Sequence, residues 1–517
     1  AAVADKRTRL LGERLNRQSM VLPADLAASV QAGLEQASSA GWVRRIWAKD
    51  GSVWKSPDAG QWLGWLDAGL GEAVDLPALE AFQAEVKARG FTHVLLLGMG
   101  GSSLGPAVLA ETFGRQAGHP QLLVLDSTDP GQIGRMEAQI DPANTLFIVS
   151  SKSGSTLEPD ILRRYFFEIA GTALGGPAGP NFIAVTDPGS ELEASAKRDG
   201  FRRVFHGVAE IGGRYSVLSN FGMVPAAAMG LDLKALFDAA GYMVRACVAS
   251  APPAANPGVH LGVVLGEAAK LGRDKLTFIT SPGVQALGAW LEQLIAESTG
   301  KEGRGLIPID AEPLGEPKVY GRDRLFAYLR LDGQDDPERD AAVRALEEAG
   351  HGVVRIILPS PANLFQEFFR WEMATAVAGA IIGIDPFDQP DVEASKTKTR
   401  SLTAGYEATG DLDIPEPLLR HDGFNLHADP ATAAAAAGTS TMEAAIAALL
   451  SQVQAGDYVA LLAYLDHTPG HRDLLQQVRA RIHDHARCAT ALEFGPRFLH
   501  STGQAYKGGP NSGCFLQ

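Results

Sequence analysis

The sequence predicts an α/β protein: two αβα units with parallel-rich sheets, a helical segment before them and a smaller α/β arm after them. Three observations predict it. Short, continuous apolar runs such as Val94–Leu97 and Leu146–Val149 alternate with helix-length stretches, as parallel strands covered on both faces do. The same alternation starts again near Leu276 and continues to Ile381. The 517 residues also exceed what a single core of ordinary size holds.

Residues 1–90 read as helical. Ala24 to Ser39 carries apolar positions at helical spacing, and Trp62, Leu63, Trp65 and Leu66 supply a second buried face. Residues 91–250 form the first unit, with strands at Val94–Leu97, Leu122–Leu125, Leu146–Val149 and Phe182–Val185. Its helices lie at Leu104–Phe113 and after Asp129-Pro130. Residues 251–402 form the second, with strands at Leu276–Thr280, Leu325–Leu331 and Val353–Leu358 and helices at Val284–Glu297 and Asn363–Ile381. Between 403 and 438 Gly, Pro and Asp stud a connector that ends in an alanine run, for which propensity favours a helix. Residues 439–517 hold two helices, a strand over Tyr458–Tyr464 and another near Ala491–Phe494. The last residues are strand-like and carry no closing signal, which predicts a short missing C-terminal piece.

Net charge is −14, which argues against nucleic acid as the main partner while leaving room for a small basic pocket that takes an anion. Cys247, Cys488 and Cys514 are odd in number and far apart. They suit neither a disulfide framework nor a zinc site, so a cytoplasmic, reducing setting is expected. The first residues, AAVADKRTRLLGERL, lack an apolar signal region, and no run approaches the ~20 apolar residues of a membrane span.

Five segments could carry chemistry. Gly98 to Pro106, GMGGSSLGP, sits between a strand and a helix, where glycines admit a ligand to the backbone and a helix start offers free N–H groups. A tight connection alone would explain it as well, and its spacing is not that of a dinucleotide fingerprint. Ser150 to Pro159, SSKSGSTLEP, repeats that placement. Ser155 and Glu158 form a capping-box pattern that starts the helix at Ser155, and the clustered hydroxyls suit a phosphate monoester better than a cap alone requires. Ile211 to Val217, IGGRYSV, offers an Arg for a developing oxyanion, or a structural Arg on a carbonyl. In Ala296 to Lys301, AESTGK, Glu297 lies in the last turn of a helix. The dipole there opposes its charge and should raise its pKa toward that of a working general base, unless it merely pairs with Lys301. In Phe387 to Lys396, FDQPDVEASK, Gln389 and Lys396 lie seven apart and share a helix face, with a solvated Lys as the plainer reading.

Together and in this order, from about Val94 to Lys396, the five segments resemble the phosphoglucose isomerase family. The closing stretch, FGPRFLHSTGQ from Phe494 to Gln504 followed by KGGPN, is similar to the isomerase part of fused transaldolase/phosphoglucose isomerase proteins, with no transaldolase half in this chain. The resemblance implies two sugar isomerase (SIS-type) domains, a C-terminal arm, a homodimer in the cytoplasm, and no metal or cofactor. It implies a sugar phosphate as substrate, with Gly101, Ser102, Ser151, Lys152, Ser153 and Thr156 around the phosphate. Glu297 would move the proton between C2 and C1 through a cis-enediol, and Arg214 with the backbone of Gly213 would stabilise the charge of that intermediate. Gln389 and Glu158 would line the site, and Lys396 would assist at the sugar oxygens.

One departure stands out: the family's ring-opening His after the Glu-Ser-x-Gly-Lys motif is missing, since no His occurs between Lys301 and Leu325. His500 is the candidate replacement, His351 a weaker one, and Lys396 with water a third route. Pro159 replaces a family Thr. Rival readings are a glucose/mannose dual-specificity isomerase and a non-catalytic sugar-phosphate-binding regulator. The regulator would have no need of Glu297, Arg214 and Lys396.

Overall fold

A computed structural model describes residues 12–517, so most of the charged N-terminal stretch read above lies outside the described residues. Among the described residues a strand follows a short helical stretch at 12–14, where only helix was expected: β1 (Arg17–Val21). Five parallel strands then form the first sheet: β2 (His93–Leu97), β3 (Gln121–Leu125), β4 (Thr145–Ser150), β5 (Phe182–Thr186) and β6 (Arg203–His206), in the order β3-β2-β4-β5-β6. All six residues of β4 are buried, as an apolar run with no polar alternation requires of a central strand.

The second sheet contains β7 (Lys275–Thr280), β8 (Ile307–Ile309), β9 (Arg324–Leu331) and β10 (Gly352–Leu358), in the order β1-β10-β9-β7-β8. Only β1 runs antiparallel, with Val21 opposite Val353 and Arg17 opposite Ile357. The N-terminal segment is thus bonded into the second unit's sheet. Its helices share one contiguous core with both units, running from Leu26 through Trp65, Leu104 and Trp290 to Phe387.

Close helix packing sets the geometry around the site. Gly258, Gly262 and Gly266 recur every four residues on the helix Pro257–Lys270, so they form one stripe. The helix Leu364–Ile382 lies directly on that stripe: a Cβ on Gly262 would come within 2.5 Å of the Ala374 carbonyl oxygen. This neighbour carries the chain to the turn that presents Gln389.

The next helix, Pro390–Thr409, runs across the boundary expected at 403, and the connector beyond it contains a small hairpin, β11 (Leu419–His421) with β12 (Phe424–Leu426). The alanine run does form a helix, Pro430–Ala435. No residue between Val392 and Ala436 is buried. The arm then folds as a three-stranded parallel sheet, β13 (Tyr458–Ala463), β14 (Ala489–Phe494) and β15 (Gly513–Leu516), in the order β14-β13-β15.

The arm docks on the second unit through buried charge. Arg324 grips Glu312 at 2.7 and 3.1 Å, Glu312 accepts the Thr490 N–H at 2.8 Å, and Arg479 reaches the Asp310 carbonyl at 2.8 Å. Beside them Glu292, Asp310 and Glu493 line a cavity of about 350 Å³. Burial pushes Asp310 up to about 6 and Glu493 up to about 7, with Arg479 pulling the other way, and it raises Glu292 as well. A carboxyl raised in this way stabilises the fold fully below its unfolded value, 3.8 or 4.5, and loses that contribution as pH climbs from there through the folded value. The melting temperature is therefore expected to fall by a few degrees between about pH 5 and about pH 7.5, and Glu493→Gln should flatten the slope in a calorimetric scan.

Candidate active site

The site forms where the carboxyl ends of the first sheet's strands meet the second unit and the arm. The glycine-rich segment after β2 makes a tight turn, Gly100–Ser102, entered through Gly100 at φ 56°. Only glycine fits at 101, because a Cβ there would come 2.0 Å from the Gly213 carbonyl oxygen. That approach sets the turn, with buried Ser102, against the Gly213–Tyr215 turn that carries Arg214.

The hydroxyl loop follows β4. Ser151 is buried, its Oγ 3.4 Å from Thr156 Oγ1, and Ser153 Oγ accepts from the Ser155 N–H at 3.3 Å and the Ser155 hydroxyl at 3.1 Å. The helix begins at Leu157, with Thr156 as its cap, and not at Ser155. The expected capping box does not form, because Glu158 turns to a partner 342 residues away: its Oε1 lies 2.8 Å from His500 Nε2. Burial raises the Glu158 carboxyl, but the hydrogen bond and charge of His500, with Lys396 farther off, hold it below the usual carboxylate range. An ionised carboxylate only accepts, so Nε2 carries a proton and Nδ1 is the nitrogen left free for a ligand.

Ser151, Ser153, Thr156, Glu158, Lys396 and His500 line one cavity of about 670 Å³. Lys152 does not join them. Its ammonium sits on Asp187 Oδ2 at 2.6 Å and the Val208 carbonyl at 2.9 Å, which commits its side chain away from the loop. Lys396 is half-exposed and bonded to Glu393 at 2.8 Å. His351 packs edge-on against Tyr320 and Phe326 and is lowered chiefly by burial, so it takes no part in the site.

Glu297 and Arg214 face each other beside the glycine turn, which packs on Gly213. Arg214 is buried and makes four hydrogen bonds: to Ser298 Oγ at 2.7 Å, Gln389 Oε1 at 2.9 Å, the Pro386 carbonyl at 2.7 Å and the Asp388 carbonyl at 3.0 Å. Its Nη1 stands 3.6 Å from Glu297 Oε1, so a full positive charge opposes the helix-end dipole that Glu297 would otherwise meet alone. Lys301 is not the partner of Glu297. It reaches Asp388 Oδ1 at 2.7 Å and the Asp385 carbonyl, and burial with the nearby charge of Arg214 draws its pKa down to about 8. Arg214 and Lys301 together clamp the 385–389 turn that presents Gln389.

Sequence reasoning missed Gln293. Its amide nitrogen donates to Glu297 Oε2 at 3.1 Å and to the His500 carbonyl at 3.1 Å, joining the carboxylate to the arm. The available signal was its place four residues before Glu297 on an otherwise apolar helix face, where a buried amide needs a reason. Ser298 was missed as well. Among the described residues, no group of three or more His, Cys, Asp or Glu side chains could hold a metal ion, and no helix is long and apolar enough to cross a membrane.

This arrangement offers an anion-binding loop, a carboxylate facing a fixed cation, and an imidazole on a second carboxylate, which is equipment for moving protons on a phosphorylated carbonyl compound. Comparison with known proteins agrees. The family model for phosphoglucose isomerase matches residues 83–305. The glucose-6-phosphate isomerase of Rubrobacter xylanophilus is 31% identical over 379 residues, 62% of this chain and 85% of that protein. That of Thermus thermophilus is 30% identical over 406 residues, covering 70% of this chain and 94% of that one. Among solved structures, a hypothetical protein from Thermus thermophilus superposes with a TM-score of 0.65 at 27% identity, covering 75% of this chain and all of that one. A glucose-6-phosphate isomerase from Chlamydia trachomatis gives 0.55 at 20% identity over 73% of this chain and 79% of its own, a likeness of fold.

Proposed function

The chain belongs to the phosphoglucose isomerase family, and from that premise we propose that it interconverts glucose 6-phosphate and fructose 6-phosphate. The observation that carries the reading is the Glu297–Arg214 pair, a carboxylate and a guanidinium 3.6 Å apart, tied through Gln293 to the backbone of His500, which lines the cavity of the hydroxyl loop.

The phosphate binds the N–H groups and hydroxyls of Ser151, Ser153 and Thr156 at the start of the helix Leu157–Leu174, with Gly101 and Ser102 closing over it. Binding energy spent there, away from the reacting carbons, orients C1 and C2 toward Glu297. His500 Nδ1 takes the proton of the anomeric hydroxyl and passes it to the ring oxygen as the bond from that oxygen to the anomeric carbon breaks, which leaves a carbonyl. Glu158 holds the imidazole in place, and Lys396 attends the sugar oxygens. Glu297 then takes the C2 proton, Arg214 stabilises the negative oxygen of the cis-enediol, the proton of the C2 hydroxyl passes to the C1 oxygen, and the same carboxyl returns the carbon-bound proton to C1. Gln389 keeps Arg214 aimed. A regulator that only bound the sugar phosphate would need the loop but not this pair. The resemblance also supports a homodimer, which light scattering would register as twice the monomer mass.

The test is a coupled assay of the purified chain with fructose 6-phosphate in the presence of EDTA. Glucose 6-phosphate is expected to form at the rate seen without chelator. Sugar phosphate bound in calorimetry with no turnover would sink the enzyme reading in favour of a sensor.

A further inference from the structure

Asp126 follows β3 and is buried, 2% exposed. Its carboxylate takes the fork of Arg497, Nε on Oδ2 at 2.7 Å and Nη2 on Oδ1 at 3.0 Å, and Oδ2 also accepts the Ser103 hydroxyl at 3.1 Å. Arg497 opens the short turn Arg497–His500, and Ser103 directly follows the Gly100–Ser102 turn. One buried carboxylate therefore ties the arm's His500 turn to the glycine turn of the first unit. From the opposite side Gln293 holds the His500 carbonyl. Neither Arg497 nor Asp126 lines the cavity of the hydroxyl loop. A bidentate guanidinium–carboxylate pair fixes distance and plane together, which a single bond through Lys cannot do.

We propose that the Arg497–Asp126 pair positions His500 for ring opening, by holding the turn that carries it against the first unit so that the imidazole stays on Glu158. The inference rests on the reading that His500 opens the ring. Arg497 is a positioning residue and touches neither the sugar nor Glu297. A pair that only stiffened the protein would, when cut, weaken binding and every chemical step alike. A positioning pair affects ring opening and leaves the binding of a linear ligand alone.

The test uses the Glu297→Gln protein, in which isomerisation is off and ring opening is followed alone as exchange between the α and β anomers of glucose 6-phosphate by two-dimensional NMR. Adding Arg497→Lys, or separately Asp126→Asn, is expected to slow that exchange at least about tenfold, since a shift of about 1 Å in a reacting group costs that much or more. Affinity for a linear six-carbon aldonate phosphate, which has no ring to open, should stay within about threefold. Unchanged exchange in both variants overturns the proposal, and so does a parallel loss of aldonate binding. His500→Gln in the same background separates the two ideas. Exchange lost there but kept in the Arg497 and Asp126 variants removes the clamp and leaves the ring-opening role standing. Exchange kept at His500→Gln removes both.

Discussion

Glu297→Gln is expected to lower kcat by about 10³-fold or more while sugar-phosphate affinity stays within a few-fold, since a positioned general base is worth about 10²–10⁴ in rate. The amide keeps the volume of the side chain and can still accept from Gln293, but it cannot take a proton from C2. Binding should survive because the residues proposed to hold the phosphate, Ser151, Ser153 and Thr156, line a cavity that Glu297 does not line. The measurement is incorporation of solvent deuterium at C2 alongside calorimetric titration. Loss of binding by more than about tenfold, with exchange retained, would mean that Glu297 holds the sugar and another group moves the proton.

Arg214→Lys should be nearly as damaging, with kcat reduced by about 10²–10³-fold, the range for removing one oxyanion donor. Lys keeps the charge, yet one ammonium cannot replace a planar fork that bonds Ser298, Gln389 and two carbonyls at once. Gln389 would lose its anchor, so KM should rise as well. Steady-state kinetics on both substrates decides the matter: a variant within about threefold of wild type in kcat would show that the enediol charge is stabilised elsewhere.

Elements with strong local signals were legible in the sequence. The runs at the heart of β2 and β4 are continuous and apolar because both their faces are covered, β7 and β9 are mostly so, and the helix Leu104–Phe113 falls where its pattern put it. β1 was invisible because Arg17-Gln-Ser-Met-Val21 lies on a sheet edge, alternates between exposed and half-buried, and pairs with a strand more than 300 residues away. β8 is three residues long with a Pro in the middle, too little for any pattern. The site divides in the same way. Glu297, Arg214 and the hydroxyl loop were singled out by local pattern with plainer readings still open, and their roles came from the family resemblance. The capping box expected at Glu158 does not form and the Lys152 ammonium points elsewhere, because His500 and Asp187, which claim them, are brought near only by the fold. A capping-box pattern describes what a carboxylate can do nearby, and a stronger distant partner overrides it.

The stretch from Val392 to Ala436, with no buried side chain between those two residues, bears on how the protein could be assembled. The arm is fastened to the body by its own contacts: Arg497 on Asp126, Gln504 on the Gly300 carbonyl and Asp391, and Thr490 on Glu312. The covalent thread through the hairpin adds only proximity to those fastenings. Two polypeptides divided at the hairpin, beyond the helix that carries Lys396, would still hold every contact described here between them, so a nicked or split version has the parts to reassemble a complete site, much as a lock and its bolt can be cast separately.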